Sequence, residues 1–152
     1  MIKVTDLMIN DWVSINGSNY LVKDIKKKGV IKLYEDTQWG EHDIDFNTDS
    51  LEEFLQPIPL TEEILEKNGF KKWTWWKHHK DDTVTYAIGD GLHVEIEEQM
   101  INGKNEKIFN LVDNCNDSGD YGYESNYICD VNYVHELQHA LKLCKIEKEI
   151  VL

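Results

Sequence analysis

Short apolar–polar alternations separated by tight-turn sequences constrain the first third of this chain to β-structure. Residues 12–15 alternate as a strand does, and Asn16-Gly17 follows them, which is the strongest two-residue signal for a β-hairpin. The alternation resumes at residues 20–25 and returns twice before residue 47. We therefore predict about four or five short strands that form a strongly bent sheet or a small SH3-like β-barrel over residues 1–56.

A proline-bounded linker and a short helix are predicted next. Pro57-Ile58-Pro59 disfavours helix and indicates an extended connection. Thr61 is a typical N-cap residue, and Glu62 and Glu63 would stand at the positive end of the helix dipole. Gly69 is a typical stop at the other end. The sequence therefore predicts a linker helix of about two turns between Thr61 and Gly69.

The remainder of the chain predicts an antiparallel sheet and a final helix. Turn sequences separate four alternating segments, at residues 73–77, 83–88, 92–97 and 107–112. The final helix would begin after Asp130 or Asn132 and bury Leu137 and Leu141 against this sheet, with residues 146–152 as a terminal strand. The expected fold class is α+β, with an SH3-like lobe at residues 1–56 and, at residues 57–152, a linker helix, an antiparallel β-meander and a C-terminal helix packed on it.

Composition indicates a globular protein of the cytoplasm. Apolar residues make up 41% and aromatic residues 11% of the 152 residues, which is enough to build a core. The sequence has no apolar run of about 18 residues and no apolar secretory core near Met1, so we expect neither a membrane association nor export. Its three cysteines are widely spaced, which favours reduced thiols.

The charge of the chain is strongly acidic and unevenly distributed. The formal net charge is −13, and all 16 cationic side chains are lysines. No lysine lies between Leu33 and Glu66. The predicted acidic surface of the first lobe comprises Glu35, Asp36, Glu41, Asp43, Asp45, Asp49, Glu52 and Glu53. Such a surface repels phosphate backbones, so we predict a protein partner with a basic surface and no direct binding of nucleic acid.

The segment His135-Glu136-Leu137-Gln138-His139 matches the His-Glu-x-x-His sequence motif of zinc-hydrolase helices. Two imidazoles four residues apart can hold zinc, and the glutamate can act as general base. On a helical wheel, however, His135 and His139 lie almost opposite the apolar stripe, and no third ligand follows at a suitable spacing. We therefore expect exposed histidines, no metal and no cofactor. A hydrolase that uses His135 and His139 as ligands and Glu136 as base is the alternative.

A tryptophan-rich segment provides a second candidate site. Trp73, Trp75, Trp76 and Lys77 lie in a stretch of residues 71–80 that contains no acid. Aromatic rings interleaved with lysines stack and neutralise single-stranded nucleic acid, and tryptophan also suits sugars. The alternative interpretation is that these rings fill the core and that the lysines balance the acidic half of the chain.

Three segments resemble a known protein family. The first is residues 55–70, which read QPIPLTEEILEKNGF after Leu55. The other two are residues 7–13 and Tyr133-Val134-His135-Glu136-Leu137-Gln138. Together they are similar to a family of small uncharacterised proteins from Bacteroidetes genomes, often carried by phages or mobile elements. The resemblance implies no catalytic residue, and it does not require His139.

These observations together predict a non-enzymatic, acidic binding protein. The resemblance implies a phage- or mobile-element-encoded protein, and the charge suggests an inhibitor of a basic, nucleic-acid-binding host protein. The zinc hydrolase and the binding of single-stranded nucleic acid or sugar through the tryptophan-rich strand stay as alternatives.

Overall fold

A computed structural model describes residues 2–26, 29–37, 40–47, 51, 53–73, 84–88, 91–114 and 125–152. Within these ranges the protein is α+β, with two five-stranded antiparallel sheets and few helices. None of the helices in the described ranges is long and apolar enough to cross a membrane. The chain divides into two compact units, which are residues Met1–Pro59 with Tyr133–Glu149, and residues Leu60–Asn132 with Ile150–Leu152.

The sheet of the first unit follows the predicted hairpins. Its strands are β1 (Trp12–Ile15), β2 (Ser18–Lys26), β3 (Val30–Thr37), β4 (Gly40–Asn47) and β5 (Leu55–Pro57), in the order β4-β3-β2-β1-β5. Asn16 and Gly17 have φ of +51° and +87°, as a type I′ turn requires, so the hairpin prediction is confirmed. Pro57 is tolerated in β5 because that strand lies at an edge of the sheet.

One face of this sheet carries the core of the first unit. The buried side chains alternate along the strands, and the turn of 3-10 helix at Val4–Asp6 adds apolar residues to them. The cluster comprises Ile2, Val4, Leu7, Val13, Ile15, Val22, Ile31, Leu33, Leu51 and Leu55. The strands described here leave the sheet open at β4 and β5, so the SH3-like barrel stays a prediction.

The second unit contains the predicted antiparallel sheet with one strand more than expected. The strands are β6 (Lys71–Trp73), β7 (Val84–Ile88), β8 (Leu92–Ile101), β9 (Lys104–Asn114) and β10 (Ser125–Asp130), in the order β10-β9-β8-β7-β6. Leu92, Val94 and Ile96 are buried, as their alternation predicts. Strand β10 was not predicted from its sequence, because its residues do not alternate and its pairing with β9 shifts register between Tyr127 and Cys129.

The helix predicted between Thr61 and Gly69 is present. Helix α1 (Glu62–Lys67) begins after Thr61, whose hydroxyl oxygen accepts a hydrogen bond from the Ile64 N–H at 3.3 Å. It ends before Gly69, which has φ of +76°. Leu65 is fully buried, so this short helix is stabilised by packing rather than by its own length.

The C-terminal helix belongs to the first unit and not to the second, where we expected it. Helix α2 (Val134–Leu143) lies within the unit that contains β1, and its Gln138 bridges the chain just before that strand. Gln138 Oε1 accepts from the Trp12 N–H at 3.2 Å, and Gln138 Nε2 donates to the Asn10 carbonyl at 2.6 Å. The expected boundary at residue 56 therefore does not match the compact units, because residues 133–149 return to the first one.

Leu141 of α2 is fully buried and Leu143 of the same helix is 80% exposed, so the two leucines form a matched pair. We expect Leu141→Ala to lower the free energy of unfolding by about 2–5 kcal/mol, since it leaves a cavity in the core. Leu143→Ala should change it by less than about 0.5 kcal/mol. Urea unfolding followed by circular dichroism measures both, and equal losses would show that the helix is oriented differently.

Candidate functional site

The two histidines of α2 are covered, and the expectation that they face solvent is wrong. His135 is 7% exposed, and the side chain of His139 is 20% exposed. The helical wheel failed because it locates only the apolar stripe, whereas polar residues near the start of the chain cover the opposite part of this helix. The main one is Asp11, which is itself buried. A cluster of Asp11, His135 and His139 results, and we call it the histidine cluster.

Asp11 is the centre of this cluster and was missed in the sequence. Its Oδ2 atom lies 2.7 Å from His139 Nε2 and also accepts a hydrogen bond from the Met8 N–H at 2.6 Å. Burial raises the pKa of the Asp11 carboxyl above its ordinary value, and the hydrogen bonds from Met8 and His139 oppose that shift. Asp11 therefore closes the turn before β1 and holds α2 to it. No local signal pairs it with a residue 128 positions away.

Glu136 is occupied by the helix itself. Its carboxylate accepts a hydrogen bond from the Tyr133 N–H at 3.2 Å, which satisfies one of the free donors at the start of α2. A glutamate in this position stabilises the helix end. The residue proposed as general base in the hydrolase alternative thus has a structural role.

His135 is held by ring contacts. It stacks on the Tyr133 ring at 6.0 Å between centroids and meets the His139 ring edge-on at 5.8 Å. Its Nδ1 atom is buried, and no hydrogen-bond partner for it exists among the described residues. Burial lowers the pKa of His135 to about 4, the charge of His139 adds to that shift, and Asp6 opposes it. At neutral pH the His135 ring is therefore uncharged.

The histidine cluster does not have the form of a zinc centre. His139 Nε2, the atom that would bind metal, is engaged by Asp11, and Glu136 caps the helix. In the part of the chain that the structure describes, no group of three or more His, Cys, Asp or Glu side chains is arranged to hold a metal ion. Zinc binding at His139 Nε2 would have to displace its contact with Asp11.

A second polar cluster, also missed in the sequence, joins α1 to the sheet of the second unit. Glu62 accepts hydrogen bonds from Lys107 at 2.6 Å, from the Tyr86 hydroxyl at 2.9 Å and from Lys72 at 3.1 Å. These contacts, the one with Lys107 first, lower the pKa of Glu62 to about 2. Burial and the hydrogen bonds to Glu62 and Glu66 raise the pKa of Tyr86. A phenol with a raised pKa is a stable donor and not an activated base, so this cluster is structural.

The tryptophan-rich segment is described only at its start. Trp73 is the last residue of β6, which is an edge strand of its sheet. Trp75, Trp76 and Lys77 lie outside the described residues, as does the side chain of Trp73. Their proposed contact with nucleic acid or sugar stays a prediction.

The acidic residues of the first lobe are distributed over the β3–β4 hairpin and beyond it. Glu35 is half-buried, and Asp43, Asp45 and Glu53 are exposed. Asp43 forms an ion pair with Lys32 at 2.6 Å, and Asp45 forms one with Lys26 at 2.8 Å. The backbones of Asp36 and Glu41 are opposite each other in the β3–β4 register, but the side chains of these two residues lie outside the described part. Asp49 and Glu52 also lie outside it.

Comparison of the chain with protein-family models, with curated proteins and with solved structures gave no match.

The low pKa of His135 predicts a loss of stability in acid. The unfolded chain binds this proton near pH 6.5 and the folded protein only near pH 4, so stability falls as the pH falls through that interval, by up to about 3 kcal/mol. His135→Phe removes this contribution, and at pH 7.5 it should be neutral or stabilising because the buried Nδ1 has no described partner.

Urea unfolding of the two proteins between pH 4 and 7.5 measures this difference. Asp11 is present in both, so its titration cancels in the comparison. The exposed His42 provides the control, and His42→Phe should keep the pH dependence of the unsubstituted protein. If His135→Phe keeps it too, His135 is not the group that titrates.

The contact between Asp11 and His139 predicts a strong coupling. His139→Ala leaves the buried Asp11 carboxylate without its side-chain partner and should cost about 1–3 kcal/mol, whereas His42→Ala should cost less than about 0.5 kcal/mol. A double-mutant cycle with Asp11→Ala should give a coupling energy of about 0.5–3 kcal/mol. Additive effects would contradict the pairing.

Proposed function

We propose that the protein is a non-enzymatic binding protein whose partner presents a basic surface. The observation that carries this proposal is the position of Asp43 and Asp45, which are exposed on β4 at an edge of the first sheet. They are two residues apart, so both carboxylates project from the same face of the strand. The net charge of −13 adds a long-range attraction for cationic partners.

The lysines beside these carboxylates do not prevent such binding. In the pairs Lys32–Asp43 and Lys26–Asp45, the side chains are between 34% and 51% exposed. Exposed ion pairs of this kind contribute about 0–1 kcal/mol, because water and salt screen them. A partner with several cations can therefore replace the lysines at little cost.

An enzymatic function has less support. Glu136 and His139, on which the hydrolase alternative depends, already have partners within the first unit. The proposed biological setting rests on the family resemblance. In that setting the protein is a phage- or mobile-element-encoded inhibitor that acts in the cytoplasm on a nucleic-acid-binding host protein. An acidic strand would compete there with the phosphates of the nucleic acid for the same basic surface.

A displacement experiment tests this proposal. A fluorescently labelled duplex is bound to a basic histone-like protein, and the chain is added at about 0.05 M and about 0.15 M salt. We expect release of the duplex, more effective at the lower salt. Asp43→Asn combined with Asp45→Asn should raise the concentration required by at least about threefold.

The matched control is Glu97→Gln combined with Glu98→Gln, which removes the same charge from exposed positions on β8. This variant should displace the duplex as the unsubstituted chain does. Failure of the unsubstituted chain, or an equal effect of the two double substitutions, would rule out β4 as the binding strand. Direct binding of the chain to a free single-stranded oligonucleotide at about 0.15 M salt would instead favour the tryptophan-rich strand.

A further inference from the structure

The last three residues of the chain, Ile150–Leu152, belong to the second unit. Residues 146–152 contain no strand, although their sequence predicted one. Ile150 is 3% exposed, Val151 is 54% exposed and Leu152 is half-buried. This alternation is that of a β-strand laid on a surface, with every second side chain directed inward.

The side-chain amide of Asn68 binds the backbone of this segment in both directions. Asn68 Nδ2 donates to the Val151 carbonyl at 2.8 Å, and Asn68 Oδ1 accepts from the Val151 N–H at 2.8 Å. The pair of bonds reproduces what a neighbouring strand offers to one residue. Because it uses only backbone atoms of Val151, it would accept any residue there except proline.

The orientation of the amide is also set by its own helix. Asn68 is 8% exposed, and its Nδ2 also donates to the Ile64 carbonyl of α1 at 2.8 Å. A buried amide that is held by its own helix loses little freedom when it binds a peptide. Lys67, the last residue of α1, donates from Nζ to the main-chain oxygen of Leu152 and adds a further backbone contact.

We propose that the C-terminal end of α1, with Asn68 and Lys67, is a binding site for an extended apolar peptide segment, and that residues 150–152 occupy it from within the chain. The ligand is a peptide with an apolar residue that is buried at the position of Ile150. It has any residue except proline at the position of Val151, where the Asn68 amide binds, and a second apolar residue at the position of Leu152. The proposal does not depend on the acidic strand β4.

Occupation from within the chain explains how the site would be controlled. A segment joined by a short linker competes at an effective concentration of about millimolar, so a free peptide of similar affinity is excluded while the segment is bound. Only one side chain of the segment, that of Ile150, is buried, which makes exchange with a partner's segment feasible.

The first test uses a chain that ends at Glu149 and an acetylated peptide with the sequence of residues 148–152. Isothermal titration should show saturable binding with one peptide per chain. A peptide with N-methylvaline at the position of Val151 lacks the N–H that Asn68 accepts, and it should bind at least about tenfold more weakly. Asn68→Asp keeps the acceptor and loses the donor, and it should weaken binding of the unmodified peptide similarly.

The second test uses the full chain, in case the shortened chain does not fold. Val151→Pro removes the same N–H, so it should loosen the segment and allow the peptide to bind. Val151→Ala is the matched control, because it keeps the N–H and alters only an exposed side chain. Neither this control nor the unsubstituted chain should bind the peptide.

A folded Val151→Pro chain that does not bind the peptide would overturn the proposal. Equal binding of the N-methylated and unmodified peptides by the shortened chain would also overturn it. In either case the segment would be a fixed part of the fold and not the occupant of a peptide site.

Discussion

The hydrogen bonds that join α2 to the chain just before β1 decide how the first unit is built. Asp11 binds His139, and Gln138 binds the backbones of Asn10 and Trp12, so a helix from one end of the chain completes a sheet from the other. The Val134 N–H adds a hydrogen bond to the Ile58 carbonyl at 2.9 Å, directly after β5, so α2 is attached to the first unit at its start as well as along its length. The burial of both histidines follows from this attachment.

In the histidine cluster, the residues of the His-Glu-x-x-His pattern make contacts within the first unit. In a zinc hydrolase helix, both imidazoles and the glutamate must be free to bind metal and water. Here His139 faces a carboxylate, Glu136 binds the first turn of its own helix, and His135 is enclosed and uncharged at neutral pH. The cost of enclosing an imidazole appears as a lowered pKa, so the signature of this arrangement is a sensitivity of the fold to acid.

Side-chain amides perform the same task in both units. Gln138 of α2 and Asn68 after α1 each accept one backbone N–H, and Gln138 donates to one backbone carbonyl while Asn68 donates to two. Asn68 thereby replaces a missing strand neighbour for Val151, whereas Gln138 joins α2 to Asn10 and to the first residue of β1. Such clamps recognise backbone and not side chains, which is why one of them can be proposed as a site for exchangeable peptides.

The sequence by itself determined the local elements of this protein. The turn at Asn16-Gly17, the start of α1 at Thr61 and the inward alternation on β8 were all predictable, because each depends on backbone groups within about four residues. The tertiary structure alone decided that α2 joins the first sheet, that Asp11 meets His139 and that Glu62 receives two lysines and a tyrosine. Those contacts join residues that are far apart in the chain, and burial of a polar side chain depends on which distant segment covers it, which no local periodicity records.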